Sequence, residues 1–251
     1  MNIIGLDTTT TSFSLGLIRD EEVLERFIME TEGYHSEHLL VYLSKMLEKQ
    51  NMKKNDVDGY ALSIGPGSLT GIRVGLAFLK GIGFATGKPV IPVETLYAIA
   101  YEFRKSEEYI CPILVTKRNK VFSALYRFRS ITAGREKREE GRGKRDERRE
   151  RREDGRAKRE EGKVKREETI VAQTCTNLEE FLDSLQNKKI LFVGNGVEKY
   201  KNELVIGCNC EASFAGEGIS HPDPVIIAEV GLRKIKEGDI ASLDALEPVY
   251  L

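Results

Sequence analysis

The stretch Ser63-Ile64-Gly65-Pro66-Gly67-Ser68-Leu69-Thr70-Gly71-Ile72-Arg73-Val74-Gly75 decides how the rest of the chain is read. An apolar run enters it, a glycine turn interrupts it, and an apolar segment with helical spacing leaves it, so a strand passes through a tight turn into a helix. Two uses of that junction are open. Backbone N–H groups at a helix start can bind an anion, here beside Gly65, Gly67 and Ser68. Alternatively, Gly67, Gly71 and Gly75 recur every four residues and leave one helix face bare, so that another backbone can approach closely. Ile72, Leu76, Leu79 and Ile82 lie on the other faces. A helix over Thr70–Ala85 that is apolar nearly all round needs cover on more than one side, and a partner's helices are one source of it.

Upstream, Ile3–Leu6 is a short apolar run, Phe13, Leu15 and Leu17 alternate as in a strand, and Val23–Met29 gives a third strand after the polar turn Arg19–Glu22. His35–Gln50 changes period: Leu39, Tyr42, Leu43, Met46 and Leu47 fall on one face of a helix. Gly59–Ile64 is a strand, Val90–Val93 another, and Leu96–Phe103 a third helix. The second half starts on the same plan, with strands at Ile110–Val115, Val121–Phe128 and Thr169–Gln173, a helix at Leu178–Leu185 and a strand at Ile190–Val193. It then shortens before a helix at Pro224–Lys236. Two such units point to an α/β, actin-like or ribonuclease-H-like duplicated βββαβα fold with a truncated second lobe. The expected domains are an N-terminal lobe over 1–104, with the C-terminal region 224–251 packing back on it, and a C-terminal lobe over 105–223.

The chain has 251 residues, 31% charged and 40% hydrophobic, but the charge is concentrated. From Arg135 to Glu168, 34 residues contain 16 Lys/Arg and 12 Asp/Glu, with almost nothing apolar. An 11-residue unit starting at Lys137 recurs at Lys158, as in a duplicated low-complexity segment. It falls in the hairpin turn between the second and third strands of the second half, where insertions cost little because loop-closure entropy grows only logarithmically. The segment is expected to be disordered or a fraying helix. Its net positive charge leaves contact with RNA phosphates open beside a plain solvated spacer. The remainder has an ordinary charge content and an acidic balance.

No window reaches the roughly 18 apolar residues of a membrane span, and the first residues lack a signal-peptide pattern, so a cytoplasmic chain without membrane contact is expected. Four cysteines without zinc spacing read as reduced thiols. His35 and His38, at i and i+3, could share a helix side, but no third metal ligand accompanies them, so no metal is assigned.

Asp7-Thr8-Thr9-Thr10-Thr11 joins the first two strands, where phosphotransferases of the actin-like fold carry a phosphate-binding hairpin. The matching turn of the second half, Thr116-Lys117-Arg118-Asn119-Lys120, has no carboxylate; Lys117 or Arg118 could touch phosphate, but magnesium would lack a second ligand. Gly194-Asn195-Gly196 is a thin counterpart of an adenosine pocket. An ATP-dependent phosphotransferase using Asp7, Thr9 and the Gly65–Gly71 loop is therefore the alternative reading, and no catalytic residue is assigned.

Ile4-Gly5-Leu6-Asp7-Thr8-Thr9, Gly65-Pro66-Gly67-Ser68-Leu69-Thr70-Gly71-Ile72-Arg73 and Glu247-Pro248-Val249-Tyr250-Leu251 together resemble the bacterial TsaB (YeaZ) family. The likeness is close over the first hundred residues, thins afterwards and returns at the tail. His35-Ser36-Glu37-His38 does not match the metal-binding helix of the paralogous TsaD subunit. The resemblance implies a non-catalytic scaffold needed for threonylcarbamoyladenosine formation at position 37 of tRNAs reading codons that begin with adenine. It would pair with a TsaD-like catalytic subunit, receive a TsaE-like ATPase, meet tRNA through the complex, and use ATP only at a complex interface, with no cofactor of its own. The family's pairing surface lies on the first two helices, which here implicates Tyr34, His38, Leu39, Tyr42, Gly71, Gly75, Leu76 and Leu79; a homodimer through the same face is the other use of it. The chain departs from the family at Thr116-Lys117-Arg118 and in the insertion after Phe128. The family's older glycoprotease label finds no support, since no His-Glu-x-x-His and no nucleophile with an adjacent base are present.

Overall fold

Two five-stranded mixed sheets, each carrying the same strand arrangement, organise the chain. The structure is a computed structural model and describes residues 1–10, 12–30, 36–116, 120–131, 164–185, 187–215 and 221–251. The first unit runs β1 (Asn2–Asp7), β2 (Ser12–Arg19), β3 (Glu22–Glu30), α1 (Ser36–Lys49), β4 (Gly59–Ser63), α2 (Leu69–Thr86), β5 (Val90–Val93) and α3 (Thr95–Glu102). The second runs β6 (Tyr109–Val115), β7 (Val121–Ile131), β8 (Val164–Thr176), α4 (Leu178–Asp183), β9 (Lys189–Val193), α5 (Asn195–Gly207), β10 (Glu211–Phe214) and α6 (Pro224–Glu237). Strand orders are β3-β2-β1-β4-β5 and β10-β9-β6-β7-β8. Each sheet pairs its hairpin strands antiparallel and its crossover strands parallel.

The expected truncation is not one of elements: α5 and β10, absent from the reading of the sequence, complete the second unit. What shrinks is the first helix of the unit, 6 residues in α4 against 14 in α1. The charged insertion does lie between β7 and β8, but its end is misplaced. Val164–Glu168 belong to β8, pairing in register with Ile131–Arg127, so the hairpin ladder runs on through charged residues to a closing Val164–Ile131 pair. The expectation of disorder or a fraying helix falls, over 135–163, outside the described residues.

Side chains alternating along β1 and β2 feed two cores. Ile4, Leu6, Phe13, Leu15 and Leu17 meet Leu39, Leu43, Met46 and Leu47 of α1 and Leu76 and Leu79 of α2 on one face. On the other face, Ile3 and Ile18 meet Val225, Ala228 and Leu232 of α6. The third helices are exchanged: α6 covers the first sheet, while α3 leans on β6 and β7 of the second. Between them Leu96, Ile99, Ile227 and Val230 form a core with Ile110, Ala124 and Tyr126. Tyr97 and Tyr101 of α3 meet Tyr126 and Phe128 edge-on, with centroids 5.8 and 5.7 Å apart, and Arg104 pairs with Glu229 at 2.8 Å.

By length and composition α2 could cross a membrane, which the absence of a long apolar run did not anticipate. Its buried residues, among them Ile72, Leu76 and Leu79, serve the core instead. Nor are all cysteines reduced: Cys208 and Cys210 form a disulfide, since the chain bends between them and brings their Cα atoms to 5.2 Å. Cys111 and Cys175 are free.

Helix α6 seats on glycines. A Cβ on Gly5 would lie 2.0 Å from the Pro224 carbonyl oxygen and 2.7 Å from the Ala228 nitrogen, backbone atoms that cannot swing aside. Gly5→Ala is therefore expected to cost about 3 kcal/mol, at the upper end for overpacking, read by urea denaturation; a loss below about 0.5 kcal/mol would contradict this packing.

Candidate functional site

The glycine turn of the sequence lies directly against the β1–β2 hairpin. Ser68 caps α2, its hydroxyl accepting from the Gly71 amide at 3.3 Å, while the Ser68 amide donates to the Thr9 carbonyl at 2.7 Å. The Thr8 hydroxyl donates to the Gly71 carbonyl at 2.8 Å. A Cβ on Gly71 would lie 1.8 Å from the Thr8 carbonyl oxygen, one on Gly67 2.4 Å from that of Thr9, and one on Gly75 2.3 Å from the Thr8 hydroxyl. The bare face of α2 thus receives a backbone, and that backbone is the chain's own hairpin. Two amides an anion would need at the helix start are already engaged within the chain. Thr95 ties the turn to α3 through reciprocal bonds with Gly65, and the tail closes over it, the Val249 amide donating to the Ile64 carbonyl at 2.8 Å. Tyr250 extends the tail to α2, its hydroxyl accepting from Arg73 Nε at 3.0 Å.

Asp7, at the end of β1, is fully buried. The Thr9 hydroxyl donates to its Oδ1 at 2.7 Å and the Thr9 amide at 3.3 Å. Register places Ser14 of β2 beside it on one side, and Ser63 of β4 follows the paired Leu62 on the other. Asp7 Oδ2 and both serine hydroxyls have no hydrogen-bond partner among the described residues. Burial pushes the Asp7 carboxyl above its ordinary range. Thr9, the nearby Ser63 hydroxyl, which makes no normal hydrogen bond, and the charge of His221 pull the other way. Sequence spacing identifies Asp7 and Thr9, but Ser14, Ser63 and His221 join them only through sheet register and chain return. Gly194 and Gly196 pack on Ile113 rather than open a pocket: Cβ atoms there would lie 2.5 Å from its carbonyl oxygen and 2.3 Å from its Cγ2. Lys117 and Arg118 lie outside the described residues.

The second candidate surface is the outer side of α1 and α2. Leu39, Leu76, Leu79, Gly71 and Gly75, expected to meet a partner, are buried within this chain. The reason is geometric: an apolar stripe at helical spacing marks the side a helix turns to its own sheet. Tyr42 is half-buried and stacks on Phe27 with centroids 4.4 Å apart. His38 is exposed, whereas Tyr34 and His35 lie outside the described residues. The apolar side chains presented outward are Leu40 (58% exposed) and Val41 (48%) of α1, and Leu69 (49%) and Phe84 (87%) of α2. They break the stripe, which is the signal that could have found them.

The family model described as TsaD, tRNA N6-adenosine threonylcarbamoyltransferase, matches residues 29–223. The tRNA threonylcarbamoyladenosine biosynthesis protein TsaB of Bacillus subtilis is 24% identical, covering 100% of this chain and 94% of its own. That of Haemophilus influenzae is 25% identical, covering 100% and 93%. A tRNA N6-adenosine threonylcarbamoyltransferase of Anaplasma phagocytophilum is 35% identical over 45% of this chain and 37% of its own length. Among solved structures, YeaZ from Pseudomonas aeruginosa superposes with a TM-score of 0.69 at 16% identity, covering 100% of this chain and 99% of that one, a likeness of fold.

Asp7 generates a test by pH. Because folding raises its pKa above the ordinary 3.8, the folded state holds the proton more tightly than the unfolded chain. Its favourable contribution is complete below the unfolded pKa and is lost as pH rises through the folded one. Asp7→Asn, whose amide can also donate to the unpartnered serines, is expected to melt higher than wild type at pH 8 and to show a shallower decline with pH above 4. A lower melting temperature at pH 8 would contradict the assignment.

Proposed function

The chain belongs to the TsaD family of tRNA N6-adenosine threonylcarbamoyltransferases, with TsaB proteins as its full-length relatives, and from that premise we propose that it acts in threonylcarbamoyladenosine biosynthesis as a non-catalytic scaffold. It pairs with a TsaD-type transferase, which performs the chemistry at position 37 of tRNAs reading codons that begin with adenine. A TsaE-type ATPase docks on the pair, tRNA is met through the complex, and ATP enters only at a joint interface. The setting is the cytoplasm.

The observation that carries this reading is the set of exposed apolar side chains on α1 and α2, with Phe84 projecting almost wholly into solvent. The two helices touch and cover the same face of the first sheet, and large apolar groups left exposed on such a pair favour a protein contact. The alternative, an ATP-dependent phosphotransferase using Asp7, Thr9 and the Gly65–Gly71 loop, draws support from the unpartnered Oδ2 of Asp7. Against it stand the hairpin seated on the glycine face and a second-half turn, Thr116–Lys120, that has no carboxylate in its sequence.

Leu40→Asp and Phe84→Asp change exposed positions and are expected to leave the melting temperature within about 3 °C of wild type. Each is expected to weaken co-purification with the TsaD-type subunit at least tenfold, and the double variant to abolish it. Undiminished pairing by the double variant would contradict the proposed surface.

A further inference from the structure

The disulfide between Cys208 and Cys210 has no part in the function proposed above, and the inference drawn from it stands independently. Cys208 caps α5 in an extended conformation (φ −86°, ψ 120°), and Cys210 immediately precedes β10. The chain bends at Asn209 and Cys210 and sets the two cysteine Cα atoms 5.2 Å apart, within the ordinary reach of a disulfide. A bond spanning one intervening residue restricts the unfolded chain very little, so it is a poor global staple and its consequences are local.

Those consequences fall on a junction. The Asn209 carbonyl accepts from the Asn187 amide at 2.9 Å, and the Glu211 amide donates to the Lys188 carbonyl at 2.9 Å, so the cysteine loop pins the end of α5 to the chain entering β9. Leu204 is buried beneath the last turn of α5, but Val205 and Ile206 on that same turn are 58% and 85% exposed. Both cysteines are half-buried at the edge of the second unit's core. The other thiols differ: Cys111 is fully buried in β6, where burial pushes its thiol well up, and Cys175 stands apart on β8.

We propose that Cys208 and Cys210 form a reversible redox site that exchanges with low-molecular-weight disulfides and sets the order of the α5 end. In the oxidising direction, one cysteine thiolate attacks a small disulfide such as oxidised glutathione and releases one reduced thiol. The second cysteine then displaces the other, so the small S–S bond breaks, the Cys208–Cys210 bond forms, and two electrons and two protons pass to the two glutathione thiols. Reduction reverses these steps. The oxidised form holds the last turn of α5, and the exposed Val205–Ile206 pair with it, against the loop preceding β9; the reduced form releases that turn.

The test equilibrates the full chain in buffers of reduced and oxidised glutathione over a wide range of ratios, followed by acid quench, maleimide labelling under denaturing conditions and intact-mass measurement. Labelling is expected to fall from four thiols to two in one transition, without a stable glutathione adduct. Hydrogen exchange across residues 203–212 is expected to be at least tenfold faster in the reduced chain, and a Cys208→Ser/Cys210→Ser variant should exchange like the reduced chain at every ratio. Four labelled thiols at all ratios, a pair that never reduces, or exchange that ignores the redox state would each overturn the proposal.

Discussion

Backbone laid against backbone, with glycine as the only residue that fits between, is the constraint on which the structure rests. Helix α2 and the turn before it lie on the Thr8–Thr9 segment because Gly67, Gly71 and Gly75 carry no side chain at the contact, and α6 crosses β1 and β2 at Gly5 and Gly16 for the same reason. The second unit repeats the device at the start of α5, where Gly194 and Gly196 rest on Ile113. Because interiors pack at crystal-like density, an added methyl at such a contact displaces a whole element. The glycine motif that invites comparison with phosphate-binding loops is, in this chain, mainly a packing device.

Exchange of the third helices turns two repeats into one body. Each repeat buries one sheet face under its own first two helices, and the other face is covered through α3 and α6. A second unit with a short α4 remains viable because this shared middle layer supplies much of its core. Ion pairs along it, Arg104 with Glu229 and Arg26 with Asp223, are partly exposed. They orient the layer more than they stabilise it.

Much of this was legible in the sequence where period and length agree. Strands β1 to β6 and helices α1, α2, α3 and α6 follow their apolar patterns, and the charged insertion declares itself by composition. Helix α5 was not legible, because Gly194-Asn195-Gly196 reads as a loop and its turns are rich in charge, with non-helical angles at Tyr200. Strand β10 is four residues long, too short for a period. The surface residues were misjudged for a physical reason: Leu39, Leu76 and Leu79 carry the strongest pattern, and the strongest pattern marks the inside. Leu40 and Phe84 look like noise in the sequence and are what the fold leaves outside. Clustering of Asp7 with Ser14 and Ser63 depends on register between three strands, which no local spacing encodes.

A chain that spends its glycine loop on internal packing and presents apolar side chains on two adjacent helices is suited to organising another subunit. In the scaffold role proposed above, the chain contributes surface rather than chemistry. The most direct test of that role measures threonylcarbamoyladenosine formed on tRNA by a TsaD-type transferase with its ATPase partner and adenylate substrate supplied, adding no chain, wild-type chain or the Asp7→Asn chain. A scaffold is expected to give background modification in its absence and equal restoration by wild type and Asp7→Asn. Modification by the chain without the transferase, or failure of a folded Asp7→Asn chain to restore it, would contradict a scaffold role.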